Sequence, residues 1–453
     1  MIDLNTNIKE NKILVVGLAR SGKAAAEALR SLGAEVDVYD AKFDEEKRLW
    51  AYRIGCATLY SDENAIRNDY DMLVLSPGVS PKKAFIKSAA SHGAEIIGEL
   101  ELAYRIGRGK YIAITGTNGK TTTTTLVGEI FAASGRAFCV VGNIGTAVLT
   151  CATDVDDLTY MVTECSSFQL ETTKYFKPIV SALLNITPDH LDRHGNMENY
   201  FIAKSKIFQA QDKNEYFVYN ADDELCVRAA AMCKSVAVPF SRTKLSDSGA
   251  FLNGEKIVVK DAGVSYELCD VDQLKIKGTH NIENVLAAAA ICYFAGIEPS
   301  LISSVIMKFS GVEHRMESCG TVNGVNYVND SKGTNPDASL KAIASYKNIV
   351  LIAGGYDKGA EFDSFIEGFA GNVKAMVLIG VTAEKLQKAA RRKGFSPVYM
   401  AEGIADAVKK ASELALSGDT VLLSPACASW DMYKCFEDRG KDFKACIENL
   451  ARQ

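Results

Sequence analysis

Short apolar runs that end in small or polar residues recur along the chain. The first three lie at 12–18, 34–39 and 71–75, with helix-compatible stretches at 23–32 and 45–54 between them. Apolar runs of this length, separated by helical patterns, are typical of strands buried in a parallel sheet. The pattern therefore predicts βαβ units and an α/β protein.

The same alternation continues to the end of the chain. Further strands are predicted at 111–114, 138–141, 160–163, 179–184, 325–329, 348–352, 375–379 and 420–423. Residues 96–102 are predicted as a helix-prone connector between two domains. Since a domain has roughly 150 residues, a chain of 453 residues suggests three domains. We predict a Rossmann-like domain at 1–98, a central domain with the parallel sheet of P-loop ATPases at 99–311, and a second Rossmann-like domain at 312–453.

The composition is that of an ordinary soluble protein. Apolar residues make up 47% and charged residues 24% of the chain, and the formal net charge is −5. This balance gives no reason to expect a nucleic acid or an anionic membrane held by bulk electrostatics. The N-terminus is polar and lacks an apolar signal core, and no apolar run approaches the roughly 20 residues that span a bilayer. We therefore expect a cytoplasmic protein.

Cysteine usage agrees with that expectation. The chain has 12 cysteines, and none of them forms a C-x-x-C pair. Most lie in apolar runs, so we interpret them as buried thiols in a reducing compartment rather than as disulfides or a zinc site.

The stretch YIAITGTNGKTTTTT carries the strongest chemical signal. An apolar strand, a turn with glycines, a Lys-Thr pair and a helix follow one another, which is typical of a phosphate-binding loop. In such a loop Lys120 would reach the terminal phosphates and the Thr121 hydroxyl would bind Mg²⁺. The spacing differs from G-x-x-x-x-G-K-[ST], because the glycines are Gly116 and Gly119 and the first glycine position holds Ile114. The alternative is a Gly/Thr-rich turn without a ligand.

Positions further along favour a metal and acid–base chemistry. Glu164 directly follows the strand at 160–163, where the Mg²⁺ ligand of a phosphate-loop protein is expected. His190 and His194 are four residues apart, which could suit zinc, but no third nitrogen or sulfur ligand is evident nearby. His190 therefore fits better beside the magnesium, and His194 is left as a surface residue. Lys204 lies on a helix face that is otherwise apolar, and by itself it would be a snorkelling side chain.

The ends of the first strands form a second candidate site. The first turn has the spacing G-x-x-x-x-G at Gly17 and Gly22, a weak dinucleotide signal compared with G-x-G-x-x-G. Asp40 ends the second strand, where a Rossmann domain holds a ribose, and Ser76-Pro-Gly ends the third. These residues support equally a nucleotide or nucleotide-sugar diphosphate site and an ordinary βα turn. In the later HNIEN segment, two asparagines at a helix start could offer amides to a base or a ribose.

Together these motifs resemble the Mur ligase family. They are TGTNGKTTT at 115–123, the strand end at Glu164, Asp189-His190, Lys204, HNIEN at 280–284, EHR at 313–315, DSKGTN at 330–335 and GGYDK at 354–358. They occur in the family's order in all three predicted domains, so the resemblance covers essentially the whole chain. Three segments look like the branch that adds D-glutamate: ECSSFQLE at 164–171, DSKGTNPDA at 330–338 and LLSPACASWDMYKCFEDRG at 422–440.

The resemblance implies an ADP-forming ligase that acts on an acid and a D-amino acid. The implied reaction joins D-glutamate to UDP-N-acetylmuramoyl-L-alanine through an acyl phosphate, a step in making the peptidoglycan precursors of the cell wall. ATP and two Mg²⁺ ions are implied, and so is a carbamylated lysine at Lys204, with Lys206 as the alternative. We expect a monomer that binds no nucleic acid and does not insert into a membrane. Closure of the C-terminal domain is expected to assemble the reactive geometry.

The resemblance also implies a role for each matching residue. Those implied to hold ATP are Gly116, Thr117, Asn118, Gly119, Lys120, Thr121, Thr122, Asn281, Asn284, Arg315, Asp330 and Lys332. Those implied to bind the nucleotide sugar are Leu18, Ala19, Arg20, Asp40, Gly78, Asn143, Ser166 and Gln169. Those implied to position D-glutamate are Thr334, Lys358, Ser429 and Phe436. The implied catalytic residues are Lys120, His190 and Lys204, and the implied metal ligands are Thr121, Glu164, His190 and carbamylated Lys204. His190 is implied either to contact the metal or to act as a general base.

Three other functions compete with this interpretation. One is another ligase of the family that takes folate or a different peptide, against which the segment at 422–440 argues. The second is a nicotinamide dehydrogenase, against which the glycine spacing of the first turn and the phosphate loop argue. The third is a nucleotide-binding regulator without chemistry, in which Glu164, His190 and Lys204 would be idle.

Overall fold

Three β-sheets, each mostly parallel and flanked by helices, follow one another along the chain in the computed structural model. The structure describes residues 8–276, 278–357 and 359–452. Residues up to Phe309 form one compact unit, which contains two of the sheets, and residues from Ser310 form a second unit with the third sheet. The predicted α/β class is confirmed.

The first sheet has five strands and leads into the connector helix. The strands are β1 (Lys12–Val16), β2 (Glu35–Tyr39), β3 (Leu59–Tyr60), β4 (Met72–Leu75) and β5 (Glu95–Gly98), and the helices are α1 (Arg20–Ser31), α2 (Glu45–Arg53), α3 (Ala84–Ser91) and α4 (Glu99–Ile106). All strands run parallel, in the order β3–β2–β1–β4–β5. The order reverses beside β1, and in open α/β sheets ligands bind at the carboxyl ends next to such a reversal.

The prediction of a helical connector at 96–102 is wrong in its first half. Residues 95–98 are strand β5, in which Ile96 pairs with Leu73 and Ile97 with Val74. Two consecutive isoleucines are β-branched and fit a pleated surface better than a helix. Helix α4 therefore begins only at Glu99.

The second sheet has nine strands and holds the phosphate loop. The strands are β6 (Lys110–Thr115), β7 (Phe138–Gly142), β8 (Tyr160–Glu164), β9 (Val180–Leu183), β10 (Tyr216–Asn220), β11 (Val236–Ser241), β12 (Gly249–Asn253), β13 (Lys256–Asp261) and β14 (Val264–Asp270). The helices are α5 (Lys120–Ser134), α6 (Val148–Ala152), α7 (Ser167–Leu170), α8 (Leu191–His194), α9 (Met197–Ser205), α10 (Glu224–Met232), α11 (Thr279–Phe294) and α12 (Pro299–Ile306). The order is β14–β13–β12–β11–β10–β9–β6–β8–β7. Strands β12 to β7 are parallel, as predicted, whereas β13 and β14 extend one edge with antiparallel pairing.

The third sheet has six strands. They are β15 (Glu317–Val322), β16 (Val325–Asn329), β17 (Ile349–Gly354), β18 (Val373–Ile379), β19 (Val398–Met400) and β20 (Thr420–Leu423), and the helices are α13 (Pro336–Ala344), α14 (Asp363–Glu367), α15 (Ala383–Arg392), α16 (Ile404–Leu414) and α17 (Phe436–Ala451). The order is β15–β16–β20–β17–β18–β19, and every pair except β15–β16 is parallel. Since β16, β20 and β17 are neighbours, the polar residues that follow them meet at one edge.

Burial on both faces explains why the strands read as continuous apolar runs. In β1, Ile13 and Val15 belong to one buried cluster, and Leu14 and Val16 belong to another.

Each of the 12 cysteines is a free thiol, so the prediction that they form no disulfide is confirmed. Among the residues that the structure describes, no helix is long and apolar enough to cross a membrane.

Candidate active site

The phosphate loop lies between the end of β6 and the start of α5. Lys120, the first residue of the helix, folds back over the loop: its Nζ donates to the carbonyl oxygens of Gly116 at 2.9 Å and Thr117 at 3.0 Å. Gly119 caps the helix with φ of +81°, a conformation that side chains other than glycine rarely adopt. Thr121 and Thr122 occupy the first turn of α5, where the helix N-terminus favours an anion.

The neighbouring strand β9 braces this loop. Asn185 follows β9, and its Oδ1 accepts from the backbone N–H of Asn118 at 2.8 Å while its Nδ2 donates to the Asn118 carbonyl at 3.2 Å. Thr117 Oγ1 donates to the Thr187 carbonyl at 3.1 Å and accepts from the Thr187 N–H at 3.0 Å. Sequence reasoning missed Asn185; its only signal was an amide directly after a buried strand.

Asn281 and Asn284 lie at the start of α11, and Asn284 abuts the loop. Thr123 Oγ1 donates to Asn284 Oδ1 at 3.3 Å, and Asn284 Nδ2 donates to Asn281 Oδ1 at 3.2 Å. A Cβ atom on Gly119 would lie only 2.2 Å from Asn284 Oδ1. The structure therefore brings these two predicted residues beside the loop and makes Gly119 necessary there.

Glu164 ends β8, directly beside the phosphate loop. It is paired in register with Ile114 of β6, and its side chain is 1% exposed. Its Oε1 accepts from Asn143 Nδ2 at 2.6 Å, whereas its Oε2 is buried without a hydrogen-bond partner among the described residues. A buried carboxylate oxygen without a partner is costly unless a cation or a donor arrives.

The donor set fits a magnesium ion that also binds substrate phosphates. Mg²⁺ prefers oxygen ligands and is commonly held by one or two carboxylates together with phosphate oxygens. Glu164 supplies the carboxylate and Thr121 the hydroxyl near the helix start. No group of three or more His, Cys, Asp or Glu side chains within the described part of the chain could hold a metal alone.

Lys204 is buried, so the prediction of a snorkelling side chain is wrong. It lies on α9 with 1% of its surface exposed, and its Nζ donates to the Gly116 carbonyl at 2.8 Å and lies 4.7 Å from the centre of the Tyr200 ring. Burial, and then the charge of Lys120, lower the pKa of Lys204 well below its ordinary value. By contrast, the Nζ of Lys206 donates to the Glu171 carbonyl at 2.6 Å. Lys204 is thus the lysine of the two that contacts the loop, and it favours a neutral amine.

The two histidines of the DHLDRH segment have opposite surroundings. His190 caps α8 with φ of +52°, and its side chain is 50% exposed. Its Nε2 lies 3.7 Å from Asp189 Oδ2, too far for a hydrogen bond. His194 is 3% exposed, so its assignment to the surface is wrong. Its Nε2 lies 3.0 Å from Ser167 Oγ, a contact that only the fold could reveal.

A cleft of about 330 Å³ joins the carboxyl edge of the first sheet to the central sheet. Seven of the eight residues implied for the nucleotide sugar line it: Leu18, Ala19, Arg20, Asp40, Gly78, Asn143 and Gln169. The eighth, Ser166, caps α7, and its Oγ donates to Gln169 Oε1 at 2.9 Å. We call this space the nucleotide-sugar cleft, after the ligand that the resemblance implies for these residues.

Two charged residues shape the cleft through backbone contacts. Arg20 donates to the carbonyl oxygens of Gly145 at 2.6 Å and Gly142 at 3.4 Å, and so ties the first turn to the central sheet. Asp40 accepts from the Leu18 N–H at 2.7 Å and from Lys47 Nζ at 2.9 Å. Burial opposes ionisation of Asp40, but these hydrogen bonds outweigh it and hold the pKa of Asp40 below its ordinary value.

The second unit gathers polar residues at the ends of β16 and β20. Asp330 follows β16, and its Oδ2 accepts from Ser424 Oγ at 2.6 Å. Burial raises the pKa of Asp330 to about 6, against the hydrogen bond from Ser424 and the charge of Arg315. The backbone N–H of Lys332 donates to the His314 carbonyl at 3.0 Å. The residues implied for ATP in this unit therefore lie together.

The residues implied for D-glutamate lie along the same edge. Ser429 is 2% exposed, and its Oγ has no hydrogen-bond partner among the described residues, so a ligand could satisfy it. Phe436 begins α17, and its ring centre lies 5.9 Å from Lys332 Nζ. The N–H of Thr334 donates to the Lys332 carbonyl at 2.9 Å. Lys358 lies outside the described residues.

Sequence reasoning assigned no role to Arg439, which contacts two loops of the second unit. It is fully buried on α17, and its guanidinium donates to Ser331 Oγ at 3.0 Å and to the carbonyl oxygens of Ser331 at 2.8 Å, Cys427 at 3.1 Å and Ala428 at 3.2 Å. Burial lowers the pKa of Arg439 to about 10. It thereby links the loop after β16 to the segment that carries Ser429. The only sequence signal was its place three residues after Phe436.

Comparisons with known proteins identify the family of the chain. Three family models match: "Mur ligase MurD-like, N-terminal domain" at 11–98, "Mur ligase middle domain" at 114–292 and "Mur ligase, glutamate ligase domain" at 314–427. Similar curated proteins are UDP-N-acetylmuramoylalanine–D-glutamate ligases of Thermoanaerobacter pseudethanolicus, 44% identical, and of Alkaliphilus oremlandii, 46% identical. In both cases the match covers 98% of this chain and 100% of the relative.

Solved structures support the fold. A pseudomurein peptide ligase type C from Methanothermus fervidus has a TM-score of 0.56 at 19% identity, covering 97% of this chain and 100% of that one. A UDP-N-acetylmuramate-alanine ligase from Thermotoga maritima has a TM-score of 0.53 at 19% identity, covering 97% of this chain and 99% of that one.

Proposed function

Because the chain belongs to the Mur ligase family, we propose that it is an ADP-forming ligase that adds D-glutamate to UDP-N-acetylmuramoyl-L-alanine. Relatives that bear this activity in their name align with the chain over nearly its whole length. The proposed product is a precursor of peptidoglycan. The phosphate loop supports ATP as the energy source, and the nucleotide-sugar cleft supports the acceptor.

One observation carries the proposal: Glu164 presents a buried, unpartnered carboxylate oxygen beside the phosphate loop. Phosphoryl transfer needs a cation at that position, and full-length relatives named as ligases favour an enzyme over a regulator that only binds a nucleotide. A nicotinamide dehydrogenase does not require the phosphate loop. The same edge of the sheet holds the buried Lys204, which contacts the loop.

The proposed chemistry explains why a phosphoryl transfer is needed. A carboxylate is a poor electrophile, and its oxygen is a poor leaving group. Moving the γ-phosphoryl group of ATP onto the alanyl carboxylate gives an acyl phosphate, which solves both problems. Two anions must approach each other in this step, so Lys120 is proposed to stabilise the negative charge of the transferred group. When bound, Mg²⁺ would neutralise phosphate charge, with Glu164 and Thr121 as its proposed ligands.

The amine of D-glutamate then attacks the acyl phosphate, and phosphate leaves. The amine must lose a proton to form the amide, and the half-exposed His190 is proposed either to accept that proton or to serve the metal shell. In the second unit, Thr334, Ser429 and Phe436 are proposed to position D-glutamate. The unpartnered hydroxyl of Ser429 supports this role most directly.

We also propose that Lys204 is carbamylated. A neutral amine attacks carbon dioxide to give a carbamate and releases one proton, and the burial of Lys204 favours the neutral amine. The resulting anion would lie beside Lys120 and could support a second Mg²⁺. Protein supplied with ¹³C-bicarbonate should show a carbamate carbon signal by NMR, which Lys204→Gln should lose and Lys206→Gln should keep. A signal that follows Lys206 would reassign the modification.

The domain limits are part of the proposal. The three sheets support boundaries near residues 98 and 311, as the sequence suggested. A monomer is proposed because one chain supplies a residue for each proposed role. A cytoplasmic location is proposed because ATP and nucleotide sugars are found there.

A substrate-omission assay tests the proposal. ADP release should require ATP, Mg²⁺, UDP-N-acetylmuramoyl-L-alanine and D-glutamate together, and mass spectrometry should show one amide product. L-Glutamate should not replace the D-isomer. Turnover with a folate acceptor and L-glutamate would assign the chain to another branch of the family. ATP binding without turnover on any acceptor would favour a regulator.

A further inference from the structure

Glu171 joins two residues of helix α8 to helix α7. Its Oε2 accepts from Arg193 Nη2 at 2.8 Å, and its Oε1 lies 3.3 Å from His194 Nδ1. The side chains of Glu171, Arg193 and His194 are 15%, 13% and 2% exposed. We call these three residues the Glu171 cluster. None of them is among the residues with a proposed role toward ATP, the nucleotide sugar or D-glutamate.

His194 contacts a residue on each side of its ring. Its Nδ1 lies 3.3 Å from Glu171 Oε1, and its Nε2 lies 3.0 Å from Ser167 Oγ. This Ser-His-Glu order is that of a catalytic triad. Ser167, however, is 3% exposed and does not line the nucleotide-sugar cleft, so no substrate reaches it. The arrangement is therefore a brace and not a nucleophile.

The brace holds the turn that carries His190. The backbone N–H groups of Arg193 and His194 both donate to the His190 carbonyl at 3.1 Å. His190 itself has φ of +52°, in the left-handed region that non-glycine residues seldom occupy. A helix of only four residues is not stable by itself. The backbone of His190 therefore depends on side-chain contacts made by the rest of α8.

The cluster also joins this turn to the nucleotide-sugar cleft. Arg193 Nη2 donates to the Val79 carbonyl at 2.9 Å, and Val79 lines the cleft. The Arg193 guanidinium lies 4.8 Å from the centre of the Phe168 ring. The centre of the His190 ring lies 4.9 Å from the centre of the Phe168 ring, so Phe168 contacts both the Arg193 cation and the His190 imidazole.

We propose that the Glu171 cluster is a positioning device for His190. It fixes α8 against α7 and against the Val79 turn, so that the His190 imidazole meets the reacting groups in one orientation. The inference rests on the proposed function, in which His190 serves the ligase reaction. In this proposal Glu171, Arg193 and His194 affect the reaction through the position of His190.

Steady-state kinetics of three variants test the proposal. His194→Asn and Arg193→Gln should lower kcat about 100-fold, because small misplacements of a reacting group cost that much. The KM values for ATP and D-glutamate should change less than about threefold. The matched control is Arg228→Gln: Arg228 also forms a two-point pair with a glutamate, Glu198, but both side chains are about half exposed. It should retain the wild-type kcat. Unchanged kcat in both cluster variants would overturn the proposal.

A double-mutant cycle separates positioning from general structural damage. His190→Asn keeps a residue that tolerates the left-handed region. In this background His194→Asn should lower kcat by less than about threefold, because its effect passes through His190. An equal fold loss in both backgrounds would show that His194 acts independently of His190, and would overturn the proposal.

Hydrogen exchange gives a readout that needs no turnover. In the ligand-free protein, His194→Asn should speed exchange of the Arg193 and His194 amides at least about tenfold while amides of β6 exchange as in the wild type. Unchanged exchange of the α8 amides would overturn the proposal that the cluster holds this turn. If the wild-type protein shows no ligase turnover, the proposed function fails, and this exchange result still decides whether the cluster holds the turn.

Discussion

Glu164 and Glu99 show how surroundings decide what a buried carboxylate does. Each has one oxygen buried without a hydrogen-bond partner among the described residues. Glu164 lies beside the phosphate loop, where a cation is expected to neutralise it. Glu99 begins α4, and burial raises the pKa of Glu99 to about 7, although its Oε1 accepts from the Leu149 N–H at 2.7 Å. Below about pH 7 a proton neutralises Glu99, whereas a metal is proposed for Glu164.

Glu164→Gln should abolish most turnover without unfolding the protein. The amide keeps the size and the hydrogen bond from Asn143 but loses the charge that a cation requires. We expect kcat to fall at least about 100-fold, and the Mg²⁺ concentration for half-maximal rate to rise. Glu198→Gln, a change of the same type at an exposed position, should have little effect. Near-normal ADP release by Glu164→Gln would remove Glu164 from the metal site.

Glu99→Gln should change how stability depends on pH. Between pH 4.5, the ordinary pKa of a glutamate, and the pKa of about 7 in the folded protein, only the folded chain keeps the proton of Glu99. The free energy of unfolding therefore falls as pH rises through this window. Each tenfold difference in proton affinity is worth about 1.4 kcal/mol, so the loss is at most about 3 kcal/mol.

The amide of Glu99→Gln does not titrate, so the variant should lose stability less steeply over that window. At pH 8 it should be more stable than the wild type. Denaturant unfolding at several pH values measures this difference. Parallel curves for the two proteins would show that Glu99 does not keep its proton in the folded state.

Residues with chemical motifs could be predicted from the sequence, whereas residues defined by burial could not. Lys120, Thr121 and Glu164 follow strands in a recognisable order, and the structure places them at one sheet edge. The burial of Lys204 and His194 depends on distant segments, such as Gly116 for the lysine and Ser167 for the histidine. No local pattern encodes such contacts.

At the scale of elements, the turn between β6 and α5 demands glycine at one position. Gly119→Ala would force a side chain into φ of +81° and place Cβ 2.2 Å from Asn284 Oδ1. Gly135, at the other end of α5, has φ of +69° but no heavy atom within 4 Å of an added Cβ. Comparing Gly119→Ala with Gly135→Ala therefore separates the cost of backbone strain from the cost of a steric clash.

We expect Gly135→Ala to cost about 1 kcal/mol of unfolding free energy. Gly119→Ala should cost more and should weaken ATP binding at least about tenfold, because Asn284 or the loop must move. Calorimetric titration with ATP and Mg²⁺ measures the binding. Equal ATP affinity in the two variants would contradict the tight contact between the loop and α11.

Arg439 links α17 to two loops of the third sheet. Arg439→Lys keeps a positive charge but cannot reproduce four donor contacts from one planar group. We expect a loss of about 2–4 kcal/mol in unfolding free energy and a KM for D-glutamate raised about tenfold or more. Arg392→Lys, which alters an exposed pair with Asp363, should change neither quantity. An unchanged KM in Arg439→Lys would exclude a role in shaping the amino-acid site.

At this scale the sequence predicts strands with a continuous apolar run more readily than strands of mixed polarity. Strands β1, β4 and β20 are apolar from Ile13, Met72 and Val421 to their ends, and these residues are buried. The hairpin of β12 and β13 was not predicted. Its strands are mixed in polarity, although its two-residue turn, Gly254-Glu255, begins with glycine, which hairpin turns favour.

At the scale of the whole molecule, the order of motifs was more informative than any one of them. The phosphate loop alone departs from the usual spacing, and the first turn alone is a weak nucleotide signal. Taken together with DSKGTN after β16 and the segment after β20, they predicted the family that the comparisons confirm. The phosphate loop and Glu164 belong to the first unit, and Asp330, Ser429 and Arg439 belong to the second.

The central claim is that the chain activates a carboxylate as an acyl phosphate before forming an amide. We would prepare UDP-N-acetylmuramoyl-L-alanine with ¹⁸O in both oxygens of the alanyl carboxylate and run the reaction with ATP, Mg²⁺ and D-glutamate. Mass spectrometry of the released phosphate should find one ¹⁸O atom for each amide formed, because one carboxylate oxygen leaves with the phosphoryl group. Unlabelled phosphate alongside amide product would contradict the acyl phosphate, and release of phosphate without amide would contradict the ligase itself.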